Sequence, residues 1–311
     1  MYNEFKAGIR YASRCKPKTK AYKETSMLSS RQSPIQFQTR SICQYLPDHR
    51  PSLSDHMIFA PSVDPALYGS LISHGWRRYG RELYRMACPG CNICIPLRIN
   101  AEKIRLSSSL KKILRLNSDL QIVVKPPSFN AEHFELWKSY SKLKHFSGPG
   151  DLTEEVYCGL FEPWSLILEY REMAAQNRLV AVSHLDPLPD GISSVYFSFA
   201  PEAKDRSLGF FSIMAEAYIA TSAAHLLNGK LVSIETAAVV SYYSNRENTR
   251  KNSGWYYLGF WVPGSPKMEY KARIAPFEIA LPEWHEFGSR LEALEYLRDV
   301  RMPGLGPFLQ I

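Results

Sequence analysis

Cys88, Cys91 and Cys94 fall within Tyr84-Arg-Met-Ala-Cys-Pro-Gly-Cys-Asn-Ile-Cys-Ile-Pro-Leu-Arg98 and use half of the six cysteines in the chain. Two intervening residues let neighbouring thiolates of a tight turn point at one centre, the geometry that zinc and iron–sulfur clusters need. Cys43, in Ile42-Cys-Gln-Tyr-Leu-Pro47, is the candidate fourth thiolate. A turn organised by these thiols is expected near residue 90, with reduced, non-ligating cysteines as the alternative. A disulfide framework is disfavoured, because the chain is long and shows no secretory signal. Cys15 and Cys158 are assigned no chemistry.

At 311 residues the chain has room for one large domain or two modest ones. A hydrophobic fraction of 45% places it among folded rather than disordered proteins. No apolar run reaches the ~20 residues that cross a bilayer, so a soluble, cytoplasmic protein without membrane contact is expected. The net charge of +8 is unevenly spread. Eight Lys and Arg face only Glu4 and Glu24 in residues 1–34. From Arg77 to Lys125 eleven basic residues face Glu82, Glu102 and Asp119. Such a stretch suits a phosphate-binding face, with a solvated surface as the alternative.

Residues 1–34 read as a flexible basic leader and 35–127 as a cysteine-bearing region with the basic stretch. Residues 128–287 read as a transferase-type domain and 288–311 as a C-terminal tail. Leu110, Ile113 and Leu114 predict an amphipathic helix over Ser107–Leu116, followed by a strand over Asp119–Val124. Phe134, Trp137, Tyr140 and Leu143 mark the apolar face of a helix over Ala131–His145. Strands are expected at Ser165–Arg171, Arg178–Leu185 and Ser193–Phe199, the last two joined by a turn over Asp186-Pro-Leu-Pro-Asp-Gly191. A helix from Ser207 to Leu227 and a strand over Tyr256–Val262 follow. This order, antiparallel strands then a helix then a strand, is that of an α+β acyltransferase-like (GNAT-like) mixed-sheet core preceded by an N-terminal cysteine-bearing segment. Asp205-Arg-Ser-Leu-Gly209 would present backbone N–H groups at a helix N-terminus, a natural anion site. Phe211 stands where a coenzyme A turn wants a small residue, which argues against that donor.

Eight motifs then coincide in one order. They are Cys43-Gln-Tyr-Leu-Pro47, Gly75-Trp-Arg-Arg78, the cysteine cluster ending in Pro96-Leu-Arg98, and Asn117-Ser-Asp-Leu120. They continue with Asp190-Gly-Ile-Ser-Ser-Val-Tyr196, Arg206-Ser-Leu-Gly209, Tyr257-Leu-Gly-Phe-Trp261 and Pro266-Lys-Met-Glu-Tyr-Lys271. Together they resemble the aminoacyl-tRNA–protein transferases of the N-degron pathway, which comprise eukaryotic arginyltransferases and bacterial aspartate/glutamate leucyltransferases. The bacterial branch is the nearer likeness, over roughly Gln36 to Glu278. The resemblance implies transfer of leucine or arginine from charged tRNA to the α-amino group of proteins beginning with Asp or Glu. It also implies zinc or an iron–sulfur cluster at Cys43, Cys88, Cys91 and Cys94, structural rather than required for the chemistry. Three departures stand out. Lys144–Leu152 differs from the family's R-H-x-x-G-D-M stretch, a longer loop lies near Asn228–Lys251, and the leader lacks a counterpart.

An aminoacyl ester is already activated, so an amine attacks it directly. The enzyme has to hold both reactants, keep the amine neutral and stabilise an oxyanion. No nucleophile-elbow sequence with a Ser/His/Asp order is present, in keeping with direct transfer. Glu169, on a polar strand face, and Asp186, beside a turn, are the candidate bases. Tyr196 is a candidate donor to the departing ribose oxygen. Arg78, Arg206, Ser207, Gly209, Tyr257, Trp261, Lys267, Tyr270 and Lys271 lie in the family-like motifs and are the substrate-binding candidates. For each a bland reading exists: salt bridge, packed aromatic or solvated lysine. Two other functions fit the same features. One is an acyltransferase of this fold with another donor or a small-molecule acceptor. The other is a metal-stabilised RNA-binding protein that performs no chemistry.

Overall fold

Runs of alternating and continuous apolar residues form thirteen strands among the described residues. The structure, a computed structural model, describes residues 33–60, 62–145, 152–174, 176–221, 233–244 and 254–304. The leader, most of Lys144–Leu152 and the outer parts of Asn228–Lys251 lie outside the described residues.

Four strands form a small antiparallel sheet in the order β1-β2-β4-β3: β1 (Ile35–Ile42), β2 (Pro51–Ile58), β3 (Arg77–Tyr79) and β4 (Glu82–Met86). Nine others form a mixed sheet: β5 (Ile95–Asn100), β6 (Leu120–Lys125), β7 (Leu166–Glu172), β8 (Arg178–Leu188), β9 (Gly191–Phe199), β10 (Ser233–Glu235), β11 (Trp255–Trp261), β12 (Phe277–Ala280) and β13 (Trp284–Phe287). Their spatial order is β10-β6-β7-β8-β9-β11-β5-β12-β13. All the neighbours are antiparallel except β9 and β11. The fold class is therefore α+β with a mixed sheet.

Seven α-helices occur among the described residues: α1 (Pro65–Ile72), α2 (Ser108–Leu116), α3 (Ala131–His145), α4 (Glu154–Cys158), α5 (Leu208–Ala220), α6 (Thr236–Ser244) and α7 (Arg290–Asp299). Several starts are set by side chains that accept from orphan N–H groups. Asp64 caps α1 ahead of Pro65, Ser107 caps α2, and Ser289 caps α7. Helices α2 and α5 cover one face of the large sheet, joining a core with Leu168, Tyr170 and Val180. Helices α3 and α4 cover the other face, over Ile167, Leu179 and Val182. With both faces covered, β8 is buried from Leu179 to Leu188, as a doubly packed strand should be.

The structure corrects three expectations. The turn after β8 is only Pro189-Asp190, since Leu188 already pairs with Gly191, so Asp186 sits inside a strand. The large sheet takes β5 and β6 from before residue 127 and β7 onward from after it, so that boundary does not separate two cores. The segment read as a tail carries α7, whose Ala293, Leu294 and Leu297 are buried in the main core. The helix expected to Leu227 is described as far as Ala220, and residues 222–227 lie outside the described residues.

The one parallel pair matters most for function. β9 and β11 are in register only at Gly191/Trp255, Ile192/Tyr256 and Ser193/Tyr257. A Cβ on Gly191 would fall 1.9 Å from the Trp255 carbonyl oxygen, so only glycine lets the two backbones come this close. Beyond Tyr257, β11 bulges at Gly259, which has φ +82°, and continues along β5. β9 runs on to Phe199 beside β8 alone. Among the described residues the sheet is thus open from Ser194 onward along one edge of β9.

Candidate active site

Tyr196 lies on this open part of β9. Its phenol is 3.2 Å from Ser141 Oγ and its ring meets Tyr140 edge to face. Burial pushes its pKa up to about 12, so the hydroxyl is a proton donor at neutral pH. Tyr270, on the 3-10 turn Glu269–Arg273, packs against Phe210 of α5 and is partly exposed. Burial, then the neighbouring Tyr270, raise Tyr140 to about 12 as well. Phenols and rings from α3, β9, α5 and the 3-10 turn thus gather at the opening.

Helix α5 begins beside them. Ser207 is its N-cap with φ 55°, in the left-handed region, and makes no side-chain capping bond. A Cβ on Gly209 would meet nothing within 4 Å among the described residues, so this first turn is open on that side to them. The neighbouring Arg206 does not face a ligand. Its guanidinium binds Asn117 Oδ1 at 3.0 Å, Glu172 Oε1 at 2.7 Å and the Asp119 carboxylate. It ties α5 to the loop before β6.

The carboxylates are placed differently from the sequence expectation. Asp186 has a fully buried side chain, bound at 2.6 and 2.8 Å by Arg78 and at 2.6 Å by the Ser165 hydroxyl. Arg78 also donates to the carbonyls of Gly80 and Leu160. Both members of this pair are buried and hold β3 to β8. Glu169 is buried between His133 Nε2 at 2.7 Å and Arg171 Nε at 2.8 Å. Burial opposes its ionisation, but the two partners win and hold its carboxyl down to about 2, too low for an effective base.

Tyr257 and Trp261 are both buried. The Tyr257 hydroxyl donates to Asp190 at 2.6 Å, and the Trp261 ring packs on Phe277. Both side chains support β11 through these contacts. Lys267 is exposed just before the 3-10 turn. Lys271 behaves differently. Its ammonium donates to the Phe260 carbonyl at 2.9 Å, and burial, then the charge of Arg77, lower it to about 7.

Two residues escaped the sequence reading. Arg77 stands beside Arg78 in the same motif but points to the opposite side of β3, where all three guanidinium nitrogens are buried without a hydrogen-bond partner. Glu216, a lone acid in the apolar helix α5, is wholly buried. It accepts from Tyr170 at 2.6 Å and from the Ser183 and Tyr256 hydroxyls. An acid in so apolar a helix is itself a sequence signal for a buried polar centre. The Arg77 signal was absent, since alternation on a strand says nothing about which face lacks an anion.

The cysteines lie before β5, where Ile95 pairs with Trp261 of β11. The Cys91 amide donates to the Cys88 carbonyl, closing the expected turn, and Cys43 N–H donates to Arg50. All four thiols are free and half-buried. Burial, then Cys91, Cys43 and Cys88, raise the Cys94 thiol, so the four are electrostatic neighbours. Among the described residues no three His, Cys, Asp or Glu already stand in a metal-holding arrangement. No described helix is long and apolar enough to cross a membrane.

Two family profiles match successive parts of the chain. Residues 41–112 match the profile for the N terminus of arginine-tRNA-protein transferase, and residues 132–281 match the profile for its C terminus. An aspartate/glutamate leucyltransferase of Nitrosococcus oceani is 32% identical over 76% of this chain and 88% of its own. Another from Saccharophagus degradans is 31% identical over 79% of this chain and 93% of its own. Among solved structures, L-PGS from Bacillus licheniformis matches at a TM-score of 0.32 and 14% identity, covering 54% of this chain and 47% of that one, a likeness too loose to argue from. The chain belongs to the arginine-tRNA-protein transferase family and is an enzyme of the aminoacyl-tRNA–protein transferase type.

Proposed function

We propose that this enzyme transfers leucine from leucyl-tRNA to the α-amino group of proteins whose first residue is Asp or Glu. The observation that carries the reading is the alignment with leucyltransferases along about nine-tenths of their own length. Arginine is the second candidate, because the family profile bears that name. The experiment presents radiolabelled leucyl-tRNA or arginyl-tRNA with peptides starting Asp, Glu or Ala. Labelled leucine on the Asp and Glu peptides is expected. Label on the Ala peptide alone, or none from either tRNA, would overturn the reading.

The core is read as acyltransferase-like because its single parallel pair parts after three residues, leaving an edge of β9 open beside the start of α5. The acyl ester would sit in that opening. An α-amino group with a pKa near ~8 is partly neutral at working pH, so desolvation serves where no strong base is available. The Tyr196 hydroxyl can donate to the ribose oxygen as it leaves. The start of α5 at Ser207 and Gly209 offers backbone N–H groups and the positive end of a helix dipole to the tRNA 3′ end or to the oxyanion. Lys267 and Tyr270 border the same opening as candidate contacts. Cys43, Cys88, Cys91 and Cys94 would hold a structural zinc or iron–sulfur cluster, a use suited to soft sulfur donors that neighbour one another.

A further inference from the structure

Arg77 is an anomaly by physical chemistry. It is only 4% exposed, yet Nε, Nη1 and Nη2 have no hydrogen-bond partner among the described residues. A buried charge without a partner is costly, and proteins retain one where something else completes it. Its surroundings are aromatic rather than acidic. The guanidinium lies 5.5 Å from the Phe260 ring, with the phenols of Tyr68, Tyr84 and Tyr257 nearby. The Tyr68 phenol stands within interacting reach of the guanidinium, short of full hydrogen-bond geometry, and its hydroxyl is 3.3 Å from Ser193 Oγ.

A second cation faces the first. A Cβ on Gly259 would lie 3.5 Å from Lys271 Nζ and 3.8 Å from Arg77 Nε, so both charges converge on the space this glycine leaves open. Gly259 is also the bulge at which β11 turns away from β9. The acids of the neighbourhood are occupied elsewhere. Asp186 is held by Arg78 and Ser165, Asp190 accepts from Tyr257, and Glu216 is bound by three hydroxyls. Two uncompensated cations around a vacant side-chain position call for an anion from outside.

We propose that Arg77 and Lys271, converging beside Gly259, form the subsite that takes the side-chain carboxylate of the acceptor's first residue, an inference that rests on the acidic-acceptor reading above. The depth of the site favours a carboxylate over a phosphodiester. Lys271 is half-buried and Arg77 more deeply buried, so an anion that meets both has to arrive at the end of a slim arm. One or two methylenes reach in, whereas a phosphodiester carries a ribose on either side. An arginine fork can meet both carboxylate oxygens at once, and the ammonium adds a third donor. A carboxylate beside Lys271 would also reverse the depression that burial and Arg77 impose, so an acidic peptide should bind with uptake of a proton near neutral pH.

The test compares the full chain with its Arg77→Met and Lys271→Met variants on peptides starting Asp, Glu, Asn and Gln, with leucyl-tRNA as donor. Loss of a charged hydrogen bond to a buried group should raise KM for Asp and Glu peptides on the order of 10- to 100-fold. The Asn and Gln peptides should change little, and the Kd for leucyl-tRNA should hold. Arg77→Met removes an unpaired buried charge, so its thermal midpoint should not fall, which a purely structural arginine would not allow. Calorimetry of Asp-peptide binding in two buffers of different ionisation enthalpy should show proton uptake in the wild type that vanishes in Lys271→Met. Discrimination between Asp and Asn that survives in both variants overturns the subsite alone. Weakened leucyl-tRNA binding with unchanged acceptor choice overturns it in favour of a phosphate. A wild-type enzyme that treats Asp and Asn alike overturns the acceptor reading and the subsite with it.

Discussion

Arg78 and Asp186 show how much a single residue's role depends on its partners. Removing one member of a wholly buried pair strands the other charge, which costs about 3–5 kcal/mol. Asp186→Ala should therefore lower the urea midpoint strongly, while Arg78→Met with Asp186→Leu should recover most of the loss. A stable Asp186→Asn protein that cannot transfer would instead make this carboxylate catalytic. His184 gives a second test at this scale. Burial, then the charges of His133 and Arg78, depress it from 6.5 to about 3, so the fold binds fewer protons than the unfolded chain. Its contribution is intact above pH 6.5 and is lost as the pH falls from 6.5 toward 3, with a slope of up to about 1.4 kcal/mol per pH unit. Glu169, held near 2, adds acid sensitivity only below its ordinary 4.5. His184→Phe keeps an aromatic ring beside Phe161 and should flatten the fall in thermal midpoint between pH 6.5 and 5. An unchanged fall would place the acid sensitivity elsewhere.

At the scale of elements, α2 was foreseen from Leu110, Ile113 and Leu114. The structure buries Leu110 and Leu114 and leaves Lys111, Lys112 and Arg115 exposed. That division makes α2 the best-placed basic face for tRNA phosphates. Replacing the three with glutamine should weaken tRNA binding and reduce the slope of log K against log salt by about 2 to 3. The acceptor KM at saturating tRNA should stay as it was. A salt slope equal to that of the wild type would move the tRNA off this helix. β8 carried the opposite lesson. Its continuous apolar run marked it as a strand, but the proline-rich end was read as turn. Pro187 and Leu188 in fact keep pairing as far as Gly191, because the partner strand β9 and the helix α1 pack against them.

For the whole molecule, the cysteine region is stitched to the C-terminal segment. Asn92 N–H donates to the Pro303 carbonyl, and a Cβ on Gly304 would overlap Cys91. If a metal closes the four thiols, its free energy is folding free energy for both segments at once. Anaerobically purified protein should then contain zinc or iron at about one site's worth per chain, and chelation should lower its thermal midpoint. Paired Cys88→Ser and Cys91→Ser substitutions should reproduce that loss. Metal-free protein of full stability and full activity would leave these thiols without a ligand role.

The local sequence determined where most elements lie. Helix and strand periods are short-range properties, and α3 was read residue for residue from its apolar spacing. It also carried the order of motifs by which the family is recognised. Only the tertiary structure decided which polar groups are spent and which remain available. Arg78, Asp186, Glu169 and Arg206 looked like chemistry but neutralise one another or their neighbours across separations of up to 108 residues. Lys271 stood out only through its family-like motif and Arg77 not at all, yet a glycine bulge brings the two together with no compensating anion among the described residues. Charge balance in a buried site is a sum over long-range neighbours, and no local pattern in the chain encodes that sum.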